Sequence, residues 1–225
     1  MKKIPCFILA RKNSKGIKDK NIINLGDKKL IQHTIDFVKK CKLINTVVIS
    51  TDDKRIAKIS TNNKCYTIYP RPKLLSNDEA TSESALKHAL MLYEKKFGKT
   101  EIVSYVQITE PFRPAGILDK CIKVLKKDKS IDSCFAAFEQ KKNFWISNKN
   151  GYLKRITPLK ERYKPRQIKE SVLREDTGIA LATRSKFIRK NERIGSKVKC
   201  IKYQDPKYNL DINHQVDLNL ARKII

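Results

Sequence analysis

Apolar positions along the chain fall into short runs of strand length separated by stretches with helical spacing. The run Ile4 to Leu9 is followed, after a polar stretch, by Lys29 to Cys41, where Ile31, Ile35 and Val38 recur one helical turn apart, and then by the β-branched run Thr46 to Ser50. This spacing predicts strand, loop, helix, strand. Asp53 to Ser60, carrying Ile56, Ala57 and Ile59, predicts a second helix, and Cys65 to Tyr69 a third strand that stops at Pro70. A βαβαβ opening implies a parallel sheet with right-handed crossovers, with ligands bound at the carboxyl ends of the strands.

A long helix is predicted over Thr81 to Phe97, with Ala85, Leu86, Ala89, Leu90 and Tyr93 on one face and Gly98 as its stop. Glu101 to Ile108 reads as a strand, Pro114 to Lys127 as an amphipathic helix and Ser133 to Phe138 as the next strand. Residues 139–174 break this alternation. They carry a hairpin signal at Asn150-Gly151, between Phe144-Trp145-Ile146 and Tyr152-Leu153. The lone Trp145 on a polar excursion points to an arm that packs on a second subunit, or else to a hairpin folded back over its own sheet. Regular structure resumes at Gly178 to Ala182, with a short helix at Ser185 to Lys190, a strand at Val198 to Tyr203 and a last helix from Gln215 to Ile225. No internal repeat or linker divides the 225 residues, so 1–225 reads as a single domain.

Composition narrows the function classes. Hydrophobic residues make up 40% and charged residues 32%, and no apolar run approaches the roughly 18 to 20 residues of a membrane span. The N-terminal apolar run meets Arg11 with no cleavage-like site, which fits the first strand of a cytoplasmic protein. The formal charge of +27 raises nucleic acid as a partner. The charge is mostly lysine, is spread along exposed helix faces and lacks interleaved aromatics, so nucleic-acid binding is kept only as the alternative class. Cys6, Cys41, Cys65, Cys121, Cys134 and Cys200 stand singly and read as reduced core residues. His33, His88 and His214 are too dispersed for a zinc site.

Chemistry first suggests itself behind the opening strand, at Arg11-Lys12-Asn13-Ser14-Lys15-Gly16-Ile17-Lys18-Asp19-Lys20-Asn21. A basic, glycine-containing turn after the first strand of an α/β domain offers converging backbone N–H groups and positive charge to a triphosphate. Arg11 can grip two phosphate oxygens, while Lys15, Lys18 and Lys20 act as mobile point charges. Taken alone, the same residues also read as a solvated basic turn.

Five stretches in order along the chain resemble the acylneuraminate cytidylyltransferases. They are Arg11-x-x-Ser14-Lys15-Gly16 with Lys20-Asn21; Ser50-Thr51-Asp52; Arg71-Pro72 with Ser76, Asp78 and Ser82; Gln107-Ile108-Thr109-Glu110-Pro111-Phe112-Arg113; and Asp211-Ile212-Asn213 with Asp217-Leu218. The resemblance implies an α/β fold of the Rossmann-like, three-layer nucleotidyltransferase type, with a mostly parallel sheet and a dimerisation arm over 139–174. It implies transfer of CMP from CTP to the anomeric hydroxyl of an acidic 2-keto sugar, with release of pyrophosphate, Mg²⁺ as cofactor and a homodimer as the working state. Carried over, Arg11, Lys15 and Lys20 bind the triphosphate, Asn21 belongs to the nucleotide pocket, Arg71 and Ser82 contact the cytidine, and Gln107 the sugar. Arg166 and Arg174, in the arm, meet the sugar carboxylate. Arg11, Lys20 and Asp211 are the catalytic set.

Asp211 is the implied metal ligand, because a hard cation takes carboxylate oxygen; its other reading is a turn-forming Asp before a helix. The family's second aspartate is Asn213 here, whose amide oxygen can coordinate but carries no charge. Asp217 reads as a charge in the first turn of the last helix. Leu181 where the family often has tyrosine, the missing aromatic pair around Arg193 to Val198, and Ile108 and Glu110 all depart from the N-acetylneuraminate pattern. They leave room for another nonulosonic acid, such as a legionaminic or pseudaminic acid, or another 2-keto sugar acid. The alternatives within the class are a Kdo-type or other sugar nucleotidyltransferase, or a member that has lost activity through Asn213.

Overall fold

The opening apolar run forms β1 (Pro5–Ala10), and it is buried on both faces because its residues alternate between two cores. Cys6, Ile8 and Ala10 enter the larger core, while Phe7 enters the smaller. The computed structural model describes residues 4–161 and 163–225. Strand β1 leads through a short hairpin, β2 (Asn24–Leu25) and β3 (Lys28–Lys29), into α1 (Leu30–Lys39). Then come β4 (Thr46–Thr51), α2 (Lys54–Asn62), β5 (Tyr66–Ile68), α3 (Ser82–Phe97), β6 (Ile102–Tyr105) and α4 (Ile117–Lys127). The chain finishes with β7 (Ser133–Gln140), β8 (Trp145–Ser147), β9 (Leu153–Arg155), β10 (Val172–Arg184), α5 (Ser185–Arg189), β11 (Val198–Tyr203) and α6 (Gln215–Ile224).

Seven of these strands form one sheet in the order β11-β7-β10-β6-β1-β4-β5. All its neighbours pair in parallel except β10, which runs antiparallel between β6 and β7. The parallel part follows from the βαβ crossovers, and the continuous apolar strands follow from helices covering both faces. Ile31 and Ile35 of α1, Leu118 and Ile122 of α4 and Leu218 of α6 pack into the larger core, whereas Leu86, Leu90 and Tyr93 of α3 and Ile188 of α5 pack into the smaller. The result is three layers.

Two predicted strands have different limits. The expected strand over 101–108 ends at Tyr105, because Gln107 turns to donate its N–H to Gly178 O at 2.8 Å. The strand expected at 178–182 starts earlier, at Val172; its first residues are solvated and pair with the end of β7, so hydrophobicity does not mark them. Strands β7 and β10 are therefore a hairpin whose connection, residues 141–171, is the irregular arm. Within it, among the described residues, β8 and β9 form a separate two-stranded sheet whose strand residues are largely exposed. All six cysteines are free, four of them buried. Among the described residues no helix is long and apolar enough to cross a membrane.

Candidate active site

The carboxyl ends of β1, β4 and β6 meet at one edge of the sheet, and the basic loop after β1 lies across it. Its start is fixed by Lys12, whose N–H donates to Asp52 Oδ1 at 2.8 Å, and by Asn21, whose Nδ2 donates to Arg11 O at 2.9 Å. Its middle is pressed against the segment before α6. A Cβ on Gly16 would collide with the carbonyl oxygen of Asn213, so only glycine permits this approach.

Lys20 is the buried cation of the loop, with 8% of its surface exposed. Its Nζ donates to Ile212 O at 2.8 Å and to Asn213 Oδ1 at 3.0 Å, and Asn213 Nδ2 donates to Asp211 Oδ2 at 2.7 Å. An ammonium only donates and a carboxylate only accepts, so the Asn213 amide has a single satisfied orientation, oxygen toward Lys20 and nitrogen toward Asp211. Burial lowers the Lys20 pKa, and the nearby Asp211 carboxylate opposes that shift. The segment is pinned by Ile212 N–H to Thr109 O at 2.8 Å and by Asp217, whose Oδ2 accepts from the N–H groups of Asn213 and His214 at 2.9 and 2.7 Å. Asp217 thus caps the first turn of α6.

The donor set fits a hard cation held mainly by substrate. Asp211 is exposed and keeps Oδ1 free of hydrogen bonds among the described residues, whereas the oxygen of Asn213 is already engaged by Lys20. Among the described residues no three His, Cys, Asp or Glu side chains gather into an all-protein metal site. One carboxylate completed by phosphate and water oxygens is the usual arrangement for Mg²⁺.

Beside this lies a cavity of about 280 Å³ bordered by Arg11, Asn21, Arg71, Ser82, Tyr105 and Gln107. A second cavity, about 380 Å³, adjoins it along Leu9, Arg11, Asn21 and Thr109 and reaches Lys15, Lys20 and Asn213. Buried Arg71 is held by its N–H to Thr51 O at 2.8 Å and its Nε to Ser76 Oγ at 3.0 Å. Ser82 opens α3, whose cap is Thr81, accepting from Ser84 N at 3.1 Å. Burial raises the Tyr105 hydroxyl, while Arg193 and hydrogen bonds with Gln107 and Ser82 pull it back. Asp78 reaches over the cleft to Arg11 Nη1 at 2.8 Å and Lys15 Nζ at 3.5 Å, and its pKa is lowered chiefly by the Arg11 bond. One carboxylate here engages both of these loop cations.

Behind Gln107 lies a buried charged group absent from the predicted site. Glu110 is pushed up to about 7 by burial, against the pull of Arg113 and with Asp211 and Asp176 adding to the rise. Arg113, fully buried, falls to about 10 for the same reason, with Glu110 opposing. Arg113 also donates to the carbonyl oxygen of Gln107. A Cβ on Gly178 would overlap Glu110 Oε2, so the glycine lets the β10 bulge sit on this carboxyl. In the sequence the only signal was that Glu110 departs from its family stretch.

Of the predicted site residues, Arg11, Lys15, Lys20, Asn21, Arg71, Ser82, Gln107, Asp211 and Asn213 lie on or directly beside the two joined cavities. Arg174 lies outside these two cavities but within electrostatic reach of Glu110, its Nε on Asp176 Oδ1 at 2.7 Å and its guanidinium 5.5 Å from the Phe138 ring centroid. Arg166 borders a different groove, of about 710 Å³, with Lys142, Lys169 and Gln204.

The cytidylyltransferase family model matches residues 6–203. The post-translational flagellin modification protein B of Campylobacter coli is 30% identical over 145 residues, 64% of this chain and 61% of its own. The N-acylneuraminate cytidylyltransferase of Escherichia coli is 31% identical over 122 residues, 54% of this chain and 28% of its own. The CMP-N,N'-diacetyllegionaminic acid synthase of Campylobacter jejuni is 33% identical over 97 residues, 43% of this chain and 41% of its own. The chain thus spans less than two thirds of the length of each of these relatives. The solved structure of CMP:2-keto-3-deoxy-manno-octonic acid synthetase with CTP superimposes with a TM-score of 0.69 at 14% identity, over 99% of this chain and 98% of that one. At that identity the likeness carries the fold alone, a Rossmann-like α/β fold.

Proposed function

The chain belongs to the cytidylyltransferase family, and from that premise we propose that it transfers CMP from CTP to the anomeric hydroxyl of a nonulosonic, sialic acid-like 2-keto sugar acid, releasing pyrophosphate. The observation that carries this reading is the Lys20–Asn213–Asp211 chain of hydrogen bonds set against a basic loop at the sheet's carboxyl edge. It offers a fixed cation and a fixed carboxylate side by side, where a triphosphate and its counter-ion need opposite charges at short range.

In the reaction the sugar oxygen forms a bond to the α-phosphorus, the bond from that phosphorus to the bridging oxygen breaks to release pyrophosphate with the bond's electron pair, and the hydroxyl proton passes to solvent water. Arg11 and Lys15 exchange Asp78 for phosphate oxygens, and Lys20 holds the charge that builds on the departing pyrophosphate. Asn21 fixes the loop backbone. Arg71 and Ser82 hold the nucleoside in the cavity beside Tyr105, and Gln107, immobilised through its own backbone, orients the sugar. Asp211 would hold Mg²⁺, which would supply charge neutralisation at the reacting phosphorus. Asn213 serves as the link that keeps Asp211 aimed rather than as a strong ligand. Arg166 and Arg174 meet the sugar carboxylate, in a homodimer across its interface, and the exposed apolar side chains of the arm, with Tyr152 at 74% and Leu153 at 64%, support that assembly.

Asp211→Ala tests the assignment. CTP-dependent pyrophosphate release is expected to fall by roughly 10²-fold or more with the circular dichroism spectrum unchanged, and a near-normal rate would remove Asp211 from the site.

A further inference from the structure

Asp19, the residue before Lys20 and Asn21, has left-handed backbone angles, φ 55 and ψ 28, uncommon outside glycine though tolerated by Asp. Its side chain is held by Arg55, on the first turn of α2. Arg55 Nη2 and Nη1 donate to the two Asp19 oxygens at 2.6 and 3.1 Å. The same guanidinium donates through Nε to both oxygens of Asp53 at 3.2 Å and through Nη2 to Asp53 Oδ2 at 2.7 Å. Asp53 is itself immobile: it is buried, caps α2 by accepting from Arg55 N at 2.7 Å, and donates its own N–H to Thr51 Oγ1 at 3.0 Å. The pKa values of Asp19 and Asp53 are both lowered, in each case chiefly by the Arg55 bond.

The end of β4 therefore holds both ends of the phosphate loop, the start through Asp52 on Lys12 and the finish through Asp53 and Arg55 on Asp19. Arg55 is not a free cation waiting for phosphate, because two carboxylates share its one charge and leave the triad net negative. We propose that Arg55 is a positioning residue for the nucleotide: it fixes Asp19 and so sets where Lys20 and Asn21 stand relative to Asn213 and the triphosphate. This inference rests on the cytidylyltransferase reading, and adds to it a residue outside the motifs that point to that activity.

Charge and position make opposite predictions for Asp19. If Arg55 acted through its field alone, removing the Asp19 charge would tighten binding of an anionic nucleotide. If it acts by holding the loop, Asp19→Asn loosens the loop and weakens binding. The experiment measures the Kd of CTP with Mg²⁺ by calorimetry, and KM for CTP and for the sugar acid, in wild type, Arg55→Ala, Asp19→Asn and the double variant. Each single change is expected to raise the Kd and KM for CTP about tenfold, with KM for the sugar unchanged and the double variant no worse than the weaker single. A tightened or unchanged Kd in Asp19→Asn, or additive losses in the double variant, overturns the positioning role. Asp19 is at the surface, so this variant reports even where Arg55→Ala is poorly folded. A wild-type protein that fails to bind CTP would sink the functional reading and this inference together, whereas wild-type binding with unaltered variants would overturn the inference alone.

Discussion

Lys20 and Glu110 are a buried ammonium and a buried carboxyl, and their partners decide what each contributes. Lys20 has two acceptors and stays placed for an anion, whereas Glu110 faces Arg113 on one side and Asp211 and Asp176 on the other, and its value moves from 4.5 to about 7. The folded value lies above the unfolded one. Between those two values the folded protein holds a proton that the unfolded chain has lost, and stability falls as pH rises through the window. In metal-free protein, Glu110→Gln is expected to gain stability relative to wild type between about pH 4 and pH 8, by no more than about 3 kcal/mol. Urea denaturation at the two pH values checks this, and parallel pH profiles would contradict it. At this scale the chain was legible where function concentrates residues in a contiguous motif, as at Arg11 to Asn21. It was not legible at Glu110, Arg113 and Arg55, whose roles depend on Gly178, Gln107 and Asp19 brought close by the sheet, and no local pattern records those contacts.

Among the elements, the helices and parallel strands could be read from periodicity, because each buries a stripe or a pair of faces that the spacing of apolar residues reproduces. Strand β10 could not. Its first residues are solvated and its bulge at 177–180 skips register with β7, so neither alternation nor hydrophobicity marks it, and its antiparallel direction follows from the long β7–β10 hairpin rather than from a crossover helix. The arm at the tip of that hairpin carries Trp145 at 51% exposure, stacked by Arg155 of its own hairpin at 5.2 Å, together with exposed Ile146, Tyr152 and Leu153. Apolar surface gathered on a protruding hairpin is the kind a second copy covers. Light scattering after size exclusion is expected to give twice the chain mass for wild type and one chain mass for Tyr152→Glu/Leu153→Glu; a monomeric wild type would contradict the dimer.

Over the whole molecule, three layers bring loops from the carboxyl ends of several strands to one edge, and the site belongs to that edge rather than to any single element. Residues from the first and last parts of the chain meet there, as the Lys20–Asn213 and Gly16–Asn213 contacts make plain. The +27 charge adds a field that favours a polyanionic substrate without choosing its base. Choice of base and sugar is therefore the central claim, and pyrophosphate release tests it most directly. The purified protein with Mg²⁺ is assayed against CTP, ATP, GTP and UTP, each with N-acetylneuraminate, legionaminic and pseudaminic acids and Kdo. Release with CTP and a nonulosonic acid is the predicted result. Release with Kdo alone or with another nucleotide, or silence across the panel from folded protein, would contradict it.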